Sequence, residues 1–376
     1  MKKNLLKIGS VIFILSLNFI FIKAQTSIQT AVPFLNINPE SRSGGMGDAG
    51  VASSPDMNSQ YLNPAKYAFI ESSMGVSISF TPWLRALVND INMSYLTYHY
   101  RIDKMQTVSA SLRYFSLGQI TFTGADGVAT YTGNPNEFAL DAAYSRVLSE
   151  KFSGAVAFRY IRSDLTSGTA EDLQAGNAFG ADVAFYFRTP LKVNRNDAAF
   201  TAGMNISNMG SKISYDGVNK EFIPANLRIG VGYEMEMDKY NSISFAFDVN
   251  KLLVPSAQLN QDDTEDVENL SVPAAIFKSF GDHPDGMSGE VQELTFSLGA
   301  EYWYDKQFAL RAGYFHEHES QGNRKYASAG AALRFNMFQL DASYIIPMVA
   351  NNPLANTMRF SLSFDLSEMA GGKRKR

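Results

Sequence analysis

The sequence contains no cysteine, and this absence removes several kinds of chemistry at once. A chain without cysteine forms no disulfides, has no thiol nucleophile and no cysteine-ligated metal site, and is not lipidated at an N-terminal cysteine. Histidine is scarce as well, with 4 in 376 residues. The formal net charge of −4 excludes a bulk attraction to nucleic acid, so no nucleic-acid partner is expected.

Long apolar runs are also missing, except at the start of the chain. A lysine-containing start precedes an apolar stretch at residues 8–22. This pattern is typical of a secretory signal peptide, and we predict that residues 1–24 are removed by cleavage after Ala24. A transmembrane anchor is the alternative, but the apolar stretch is short for a membrane span.

The rest of the chain is rich in alternating apolar and polar residues. In residues 152–160, large apolar side chains alternate with small residues and Arg159. A period of two predicts strands rather than helices. The same pattern recurs at residues 242–248, 294–302 and 358–364.

The composition of the polar face of these segments distinguishes between two all-β architectures. It carries Gly, Ala and Ser with single Arg and Asp residues, and almost no Lys. A soluble sandwich, the alternative, turns its charged face to bulk water. An outer-membrane barrel turns its apolar face to lipid and lines its lumen with small and polar groups. We therefore predict an all-β fold, an outer-membrane antiparallel β-barrel of about fourteen strands over residues 73–366.

The connections between these segments alternate in length, which is a separate argument for a barrel. Long connections of about ten to forty-five residues take turns with short ones of about two to ten. Short periplasmic and long external connections are typical of outer-membrane barrels. On this basis both chain ends are predicted to lie in the periplasm, and residues 367–376 form a basic periplasmic tail.

One glycine-rich stretch, residues 42–65, has neither a helical nor a strand pattern. A compact irregular segment needs surrounding groups that form hydrogen bonds with its backbone N–H and C=O groups. We predict that residues 25–72 are an N-terminal periplasmic segment and a plug inside the barrel; a surface loop ahead of the first strand is the alternative. The candidate plug residues are Gly44, Gly45, Met46, Gly47, Asp48, Asn63, Pro64 and Ala65.

Two of the predicted external loops contain apolar residues that could be exposed for partner binding. The candidates are Trp83, Leu84, Leu87, Leu252, Leu253 and Val254. For the first loop, folding back onto the barrel rim is the alternative. Five acidic residues between positions 262 and 268 lack the spacing of a calcium loop, so a solvated acidic face is preferred and no metal site is predicted.

The pattern RSGGMGDAGVA…YLNPA in residues 42–65 resembles the PorV (also LptO) family, outer-membrane proteins of type IX secretion in Bacteroidetes. This family is distantly related to the FadL long-chain fatty-acid transporters. The resemblance extends over the signal peptide, the plug, the strand number and the chain length. The PorQ proteins share the pattern, and residues 31–52 favour PorV over them.

The resemblance implies a secretion component that is not an enzyme and has no cofactor. Its partners would be the large translocon barrel of the type IX system, cargo with a C-terminal secretion domain, attachment-complex proteins, and outer-membrane lipid with lipopolysaccharide. It would bind cargo at the translocon and pass it to the surface attachment machinery. Two alternatives are a FadL-like transporter of hydrophobic small molecules and a lipid hydrolase that uses His316 or His318.

Overall fold

The computed structural model describes residues 30–124, 127–167, 173–255, 269–349 and 352–367. The predicted signal peptide, the acidic residues 262–268 and the basic tail beyond Ser367 lie outside the described residues.

The described residues form sixteen strands and six short helices. The strands are β1 Met74–Pro82, β2 Asn92–Arg101, β3 Gln106–Ser116, β4 Ile120–Thr123, β5 Ala129–Gly133, β6 Asn136–Ser149, β7 Phe152–Asp164, β8 Gly176–Val193, β9 Asn196–Gly210, β10 Asn226–Glu236, β11 Asn241–Leu252, β12 Thr295–Tyr304, β13 Phe308–His316, β14 Lys325–Phe335, β15 Phe338–Pro347 and β16 Met358–Asp365. Two 3-10 helices span Pro33–Asn36 and Pro64–Phe69, and four α-helices span Ser41–Gly44, Ser59–Leu62, Val272–Lys278 and Met287–Gln292. None of the described helices has the length and hydropathy needed to cross a membrane.

Fourteen of the strands form one closed antiparallel barrel, which confirms the predicted fold class. Each barrel strand pairs with the next barrel strand along the chain, and β1 pairs with β16 to close the ring. The two remaining strands, β4 and β5, form a separate hairpin in the long connection between β3 and β6. The sequence prediction had this connection as a loop without strands.

Burial in the barrel strands is the reverse of that in a soluble protein. In β1, Ser77 and Ser79 are buried, while Ile78 is 53% exposed and Phe80 is 43% exposed. In water an exposed apolar surface costs about 25 cal/mol per Å², so a wall of this kind is stable only against lipid. The large side chains therefore point outward, and the small and polar side chains point into the lumen.

The strand connections are short at one end of the barrel and longer at the other. Only two residues join β6 to β7 and β8 to β9, whereas β11 and β12 are separated by residues 253–294. The end with the long loops is the external end in outer-membrane barrels. Both β1 and β16 have their free ends at the opposite, periplasmic end.

Residues 30–70, called the internal segment below, lie within the ring of strands. Hydrogen bonds from lumen-facing side chains reach this segment from around the wall. Ser361 of β16 accepts from Ser41 N at 3.0 Å, and Asp248 of β11 accepts from Gly50 N at 2.7 Å. The wall thus supplies partners for backbone N–H groups that have none within a helix or sheet.

The start of the internal segment is not where the sequence reasoning placed it. Ala31 N donates to Phe222 O, which lies in an external loop, and Phe34 packs against Phe115. The segment then crosses the lumen and reaches the periplasmic end, where Arg101 donates to Ile70 O at 2.8 Å. The described part of the predicted periplasmic segment therefore begins at the external end, because its apolar residues match an apolar ring of lumen-facing side chains there.

Candidate functional site

The glycine-rich part of the internal segment lies against β12, β13 and β14. Gly47 has a φ of +68°, and its N–H donates to Ser328 Oγ at 2.8 Å. A Cβ atom on Gly45 would lie 3.1 Å from Gly330 Cα, and one on Gly299 would lie 2.6 Å from Met46 Cβ. Glycines on both sides of this contact therefore let the backbone of the segment approach the wall.

Asp48 connects this stretch to one further strand, β16, and makes a second contact with β14. Its carboxylate pairs with Arg359 of β16 at 3.2 Å and accepts from Tyr326 Oη of β14 at 2.6 Å. Asn38 Nδ2 also donates to it at 2.7 Å. With a φ of 62°, Asp48 adopts the left-handed conformation that Asp tolerates better than most residues.

Buried ion pairs hold the next part of the segment. Arg42 donates to both oxygens of Glu301 on β12, at 3.0 and 2.7 Å, and pairs with Asp56 at 2.7 Å. Glu301 also accepts from Arg311 Nε at 2.6 Å, and Arg311 pairs with Asp341 at 2.8 Å. Buried pairs of this kind add little net stability, but removal of one partner leaves an uncompensated charge. They favour one position of the segment over others.

Glu40 caps the short helix Ser41–Gly44 inside the lumen. Its carboxylate accepts from Arg42 N at 2.6 Å and from Ser43 N at 2.8 Å. Burial, followed by the charge of Asp56, raises the pKa of Glu40 to about 7. This acid therefore ionises near neutral pH while it holds the helix start.

The Asn63-Pro64-Ala65 step attaches the segment to the opposite wall. Asn63 Nδ2 donates to Val51 O and to Phe185 O of β8, each at 2.9 Å, and Asn63 Oδ1 accepts from Ala65 N at 3.0 Å. Pro64 O accepts from Ser145 Oγ at 2.7 Å. Ala65 O accepts from Ser153 Oγ at 2.8 Å. All eight residues of the candidate plug motif thus lie in the lumen, in two groups that contact different parts of the wall.

Among the described residues, two main cavities of several hundred Å³ lie on opposite sides of the internal segment. The periplasmic cavity has a volume of about 410 Å³ and is lined by residues such as Asp56, Glu234, Trp303 and Arg334. The outer cavity has a volume of about 310 Å³ and lies toward the external loops. Its polar lining includes Asn36, Arg228, Asp248, Asn250, Glu293 and Arg324. Charged and amide side chains form much of both linings, beside apolar residues such as Phe69 in the periplasmic cavity and Leu252 and Phe315 in the outer cavity.

The family to which the chain belongs follows from a comparison with protein families. Residues 22–259 match the family described as "Type IX secretion system protein PorV", which is more than half of the chain. The chain belongs to the PorV family. It is therefore an outer-membrane β-barrel component of the type IX secretion system.

Comparison with solved structures finds similar barrels at low sequence identity. The "CymD monoaromatic hydrocarbon channel" is 12% identical with a TM-score of 0.46, covering 87% of this chain and 96% of that one. The "Pseudomonas putida toluene transporter TodX" is 11% identical with a TM-score of 0.46, covering 90% and 98%. A "Pseudomonas aeruginosa FadL homologue" is 12% identical with a TM-score of 0.43, covering 88% and 99%. No curated protein sequence matches the chain significantly.

In this PorV-family barrel, the first apolar loop is only partly available to a partner. Trp83 and Leu84 are half-buried, and Trp83 packs against the cluster around Phe34 and Phe115. Leu87, by contrast, is 67% exposed. The loop thus folds back over the external mouth with its first half and exposes its second half.

Leu253 and Val254 are not exposed, contrary to the sequence interpretation. Each is 2% exposed, and Leu252 is half-buried. Val254 packs with Phe222 and Ala275, and Leu253 N donates to Ala225 O at 2.7 Å. Two distant loop segments cover this stretch, so it forms part of a small core above the barrel wall.

Sequence reasoning missed a group of exposed apolar residues in the described part of the external loops. It lies on and beside the helices Val272–Lys278 and Met287–Gln292. Its members are Phe277, Phe280, Met287 and Val291, which are all at least half exposed. The signal was available, because residues 271–280 place apolar side chains on more than one side of a short helix.

The histidines considered for hydrolysis do not converge on one site. His316 contacts the rings of Phe296 and Tyr314. His318 Nδ1 lies 2.8 Å from Ser320 Oγ but also accepts from Ser320 N at 3.3 Å. This is the geometry of a local turn in which a side chain bonds the backbone two residues away.

Proposed function

We propose that this PorV-family barrel acts without enzymatic chemistry. In this proposal its external loops bind secreted cargo, through the C-terminal secretion domain, at the large translocon barrel. It then passes the cargo to the attachment-complex proteins at the cell surface. The internal segment acts as a plug that closes the barrel to passage.

The observation that carries this proposal is the filled lumen. The internal segment contacts strands on all sides, and buried ion pairs such as Arg42–Glu301 fix it there. The cavities that remain, about 410 and 310 Å³, are the size of small-molecule sites. A folded or extended cargo chain needs a continuous path, so the external surface is the place where this barrel can act on cargo.

The lining of the lumen argues against transport of hydrophobic molecules, the alternative function. Such transport needs an apolar pocket beside the plug and a lateral exit through the wall. An apolar ligand in either main cavity would displace water from the charged and amide groups of the lining, which is unfavourable. Two wall glycines that could permit a strand kink face the internal segment instead: Gly230 lies against Val51 and Gly232 against Ala52.

The one irregular place in the described wall near the middle of a strand pair is also filled. The register between β8 and β9 shifts between Ala181 and Val183. Behind it, Arg159 pairs with Asp182 at 3.0 Å and contacts Asn208. A lateral exit at this bulge would have to displace a buried, paired arginine.

The exposed apolar residues Phe277, Phe280, Met287 and Val291 are our candidates for cargo contact, together with Leu87. Exposed apolar surface on an external loop commonly marks a protein interaction site. We choose these residues as candidates instead of Leu253 and Val254, because Leu253 and Val254 are buried.

Site-specific photo-crosslinking tests this proposal. A photoreactive amino acid at Phe277 should capture secreted cargo through its C-terminal domain in living cells. The matched control is Phe335, which is 73% exposed but lies at the periplasmic end of β14. Equal capture at both positions, or capture at neither, would contradict the proposal.

Uptake and secretion measured in the same deletion strain separate the two functions. We expect cargo to accumulate in the periplasm while fatty-acid uptake stays unchanged. Lost uptake with normal secretion would instead favour transport of hydrophobic molecules.

A further inference from the structure

The hairpin formed by β4 and β5 extends the strand pair β3–β6 beyond the external rim of the barrel. Leu117 N donates to Pro135 O at 3.1 Å, and Ile120 then pairs with Gly133. Within the barrel, β3 also pairs with β2, but that pairing ends at Ser116. Beyond this point β4 has β5 on one side and, among the described residues, no strand on the other. The hairpin is therefore a two-stranded sheet with an open edge along β4.

The direction of the backbone groups on this edge follows from one side-chain contact. Thr130 Oγ1 donates to Phe122 O at 2.9 Å, so the Phe122 carbonyl faces β5. Because successive residues of a strand turn their N–H and C=O groups to opposite sides, those of Thr121 point away from β5. Within the part of the chain that the structure describes, no backbone group bonds to β4 from that side. The open edge thus offers N–H and C=O groups to a further strand.

Strand β8 shows how the same chain treats a free edge elsewhere. Its pairing with β7 stops at Phe187, whereas its pairing with β9 continues to Val193. Pro190 and Lys192 lie in this one-sided stretch. Proline lacks the N–H group and lysine is charged, and both protect natural edge strands against pairing with another chain. Strands β4 and β5 contain neither proline nor a charged residue, so their edges lack this protection.

The side chains of β4 define what an added strand should carry. Ile120 and Phe122 lie on one face, where Phe122 stacks on Tyr131 with ring centroids 4.6 Å apart. Thr121 and Thr123 lie on the other face. Side chains that lie directly opposite on neighbouring strands contact each other, and pairs of aromatic with β-branched residues or of Thr with Thr are favourable. The edge therefore suits an uncharged segment in which apolar and small polar residues alternate.

The open edge of β4 faces the first external loop, because β2 is the neighbour of β3 in the barrel. Gln119 N, at the base of β4, donates to Asp90 Oδ2 in that loop at 2.8 Å. The same loop contains Leu87, which is 67% exposed and is one of the candidates for cargo contact. A strand added to β4 would therefore lie beside cargo that contacts Leu87.

We propose that the open edge of β4 binds an extended segment of the cargo's C-terminal secretion domain as a third strand of the hairpin. A two-stranded hairpin is marginally stable in water, and a third strand adds backbone hydrogen bonds and cross-strand side-chain contacts. This inference rests on the proposed role in cargo binding and specifies how the barrel recognises cargo. The segment is selected by its extended backbone and its alternation, and not by charge.

Peptide binding to the purified, detergent-solubilised protein tests this edge. The probes are fluorescent peptides of about ten residues that together cover the C-terminal secretion domain of one secreted protein of the source bacterium. Fluorescence anisotropy should show saturable binding of at least one uncharged, alternating peptide. Thr121→Pro removes an N–H group from the open edge and none from the β4–β5 pairing. We expect it to weaken binding about tenfold or more.

Two matched variants separate edge pairing from general damage to the hairpin. Thr121→Val keeps the N–H group and the branched side chain, and it should leave binding unchanged. Thr132 lies opposite Thr121, so Thr132→Pro makes the same change on the outer edge of β5 and should also leave binding unchanged. Equal loss in Thr121→Pro and Thr132→Pro, unweakened binding in Thr121→Pro, or no binding of any peptide would overturn the proposal.

Two further outcomes show which idea has failed. Cargo captured by the photoreactive residue at Phe277, with no peptide bound at the hairpin, overturns the edge inference alone. Absence of both overturns the proposed function as well. If Thr121→Pro instead binds peptides normally but loses a dimer that the unaltered protein forms, the edge pairs with a second copy of the chain and the proposal fails.

Discussion

Gly47→Ala should loosen the internal segment more than any other single-methyl change in the glycine-rich stretch. Gly47 has a φ of +68°, and an added Cβ would lie 2.5 Å from Tyr314 N and 2.6 Å from Tyr314 O. The left-handed conformation costs a residue other than glycine about 1–2 kcal/mol. Forcing a methyl group against a backbone that belongs to the barrel wall costs about 1–3 kcal/mol more. We therefore expect a loss of about 2–5 kcal/mol in the stability of the packed barrel.

Two control glycines divide this loss into its parts. Gly217 also has a positive φ, +76°, but its nearest neighbour would be 3.8 Å from an added Cβ. Gly217→Ala should therefore show only the backbone term, about 1–2 kcal/mol. Gly281 has open space and no positive φ, so Gly281→Ala should be close to neutral.

The assay is urea unfolding in detergent micelles, followed by the gel migration of unheated samples. Limited proteolysis of the internal segment in the folded barrel gives a second, local readout. We expect earlier unfolding and faster cleavage in Gly47→Ala than in either control. Gly47→Ala and Gly217→Ala could instead unfold at the same urea concentration, with equal protease resistance of the internal segment. In that case the close contact with Tyr314 does not constrain the segment, and the reasoning fails.

Three further predictions concern other parts of the molecule. Tyr326→Phe removes the hydroxyl that donates to Asp48 at 2.6 Å and should cost about 1–3 kcal/mol in the same unfolding assay. Glu40 has a folded-state pKa of about 7, raised from 4.5. The stability that this carboxyl group contributes is therefore fully present below about pH 4.5 and is lost as the pH rises through 7. Protease resistance of the segment should therefore fall between pH 5 and 8, and this fall should be absent in Glu40→Gln. If Glu40→Gln shows the same pH profile as the unaltered protein, the effect belongs to another group. Leu298→Arg places a charge on the lipid face and should destabilise the barrel by about 2–4 kcal/mol in lipid bilayers; a neutral result would mean that Leu298 does not face lipid.

The barrel was predictable because its signal is local and repeated. Each strand carries the alternation itself, as in residues 152–160, and the register of a closed barrel leaves one face for lipid and one for the lumen. The connection lengths follow from the same architecture. No long-range contact had to be known for either inference.

The burial of the external loop at Leu253 and Val254 was not predictable in this way. Both look like exposed apolar residues in the sequence, since they follow a strand and begin a long connection. Their cover comes from Phe222, some thirty residues earlier, and from Ala275, some twenty residues later. Single-sequence patterns contain no information on such pairings.

The direction of the internal segment was also beyond local reasoning. Its composition predicts a compact irregular stretch, and the even number of strands brings β1 and β16 together at the periplasmic end. Neither observation says where residue 30 lies. The apolar residues Val32 and Phe34 decide this, because they pack with lumen-facing side chains such as Met93 and Phe115 that lie toward the external loops.

The ion pairs of the internal segment bear on what the barrel can do. Displacing the segment would separate Arg42 from Glu301, and breaking a buried pair costs about 3–5 kcal/mol when one charge is left without a partner. The pairs of Asp48 with Arg359 and the hydrogen bonds of Asn63 would be lost in the same movement. A lumen held closed by several such contacts is poorly suited to opening for each molecule transported. The surface role proposed above needs no such opening, because external loops that bound and released cargo would leave the segment in place.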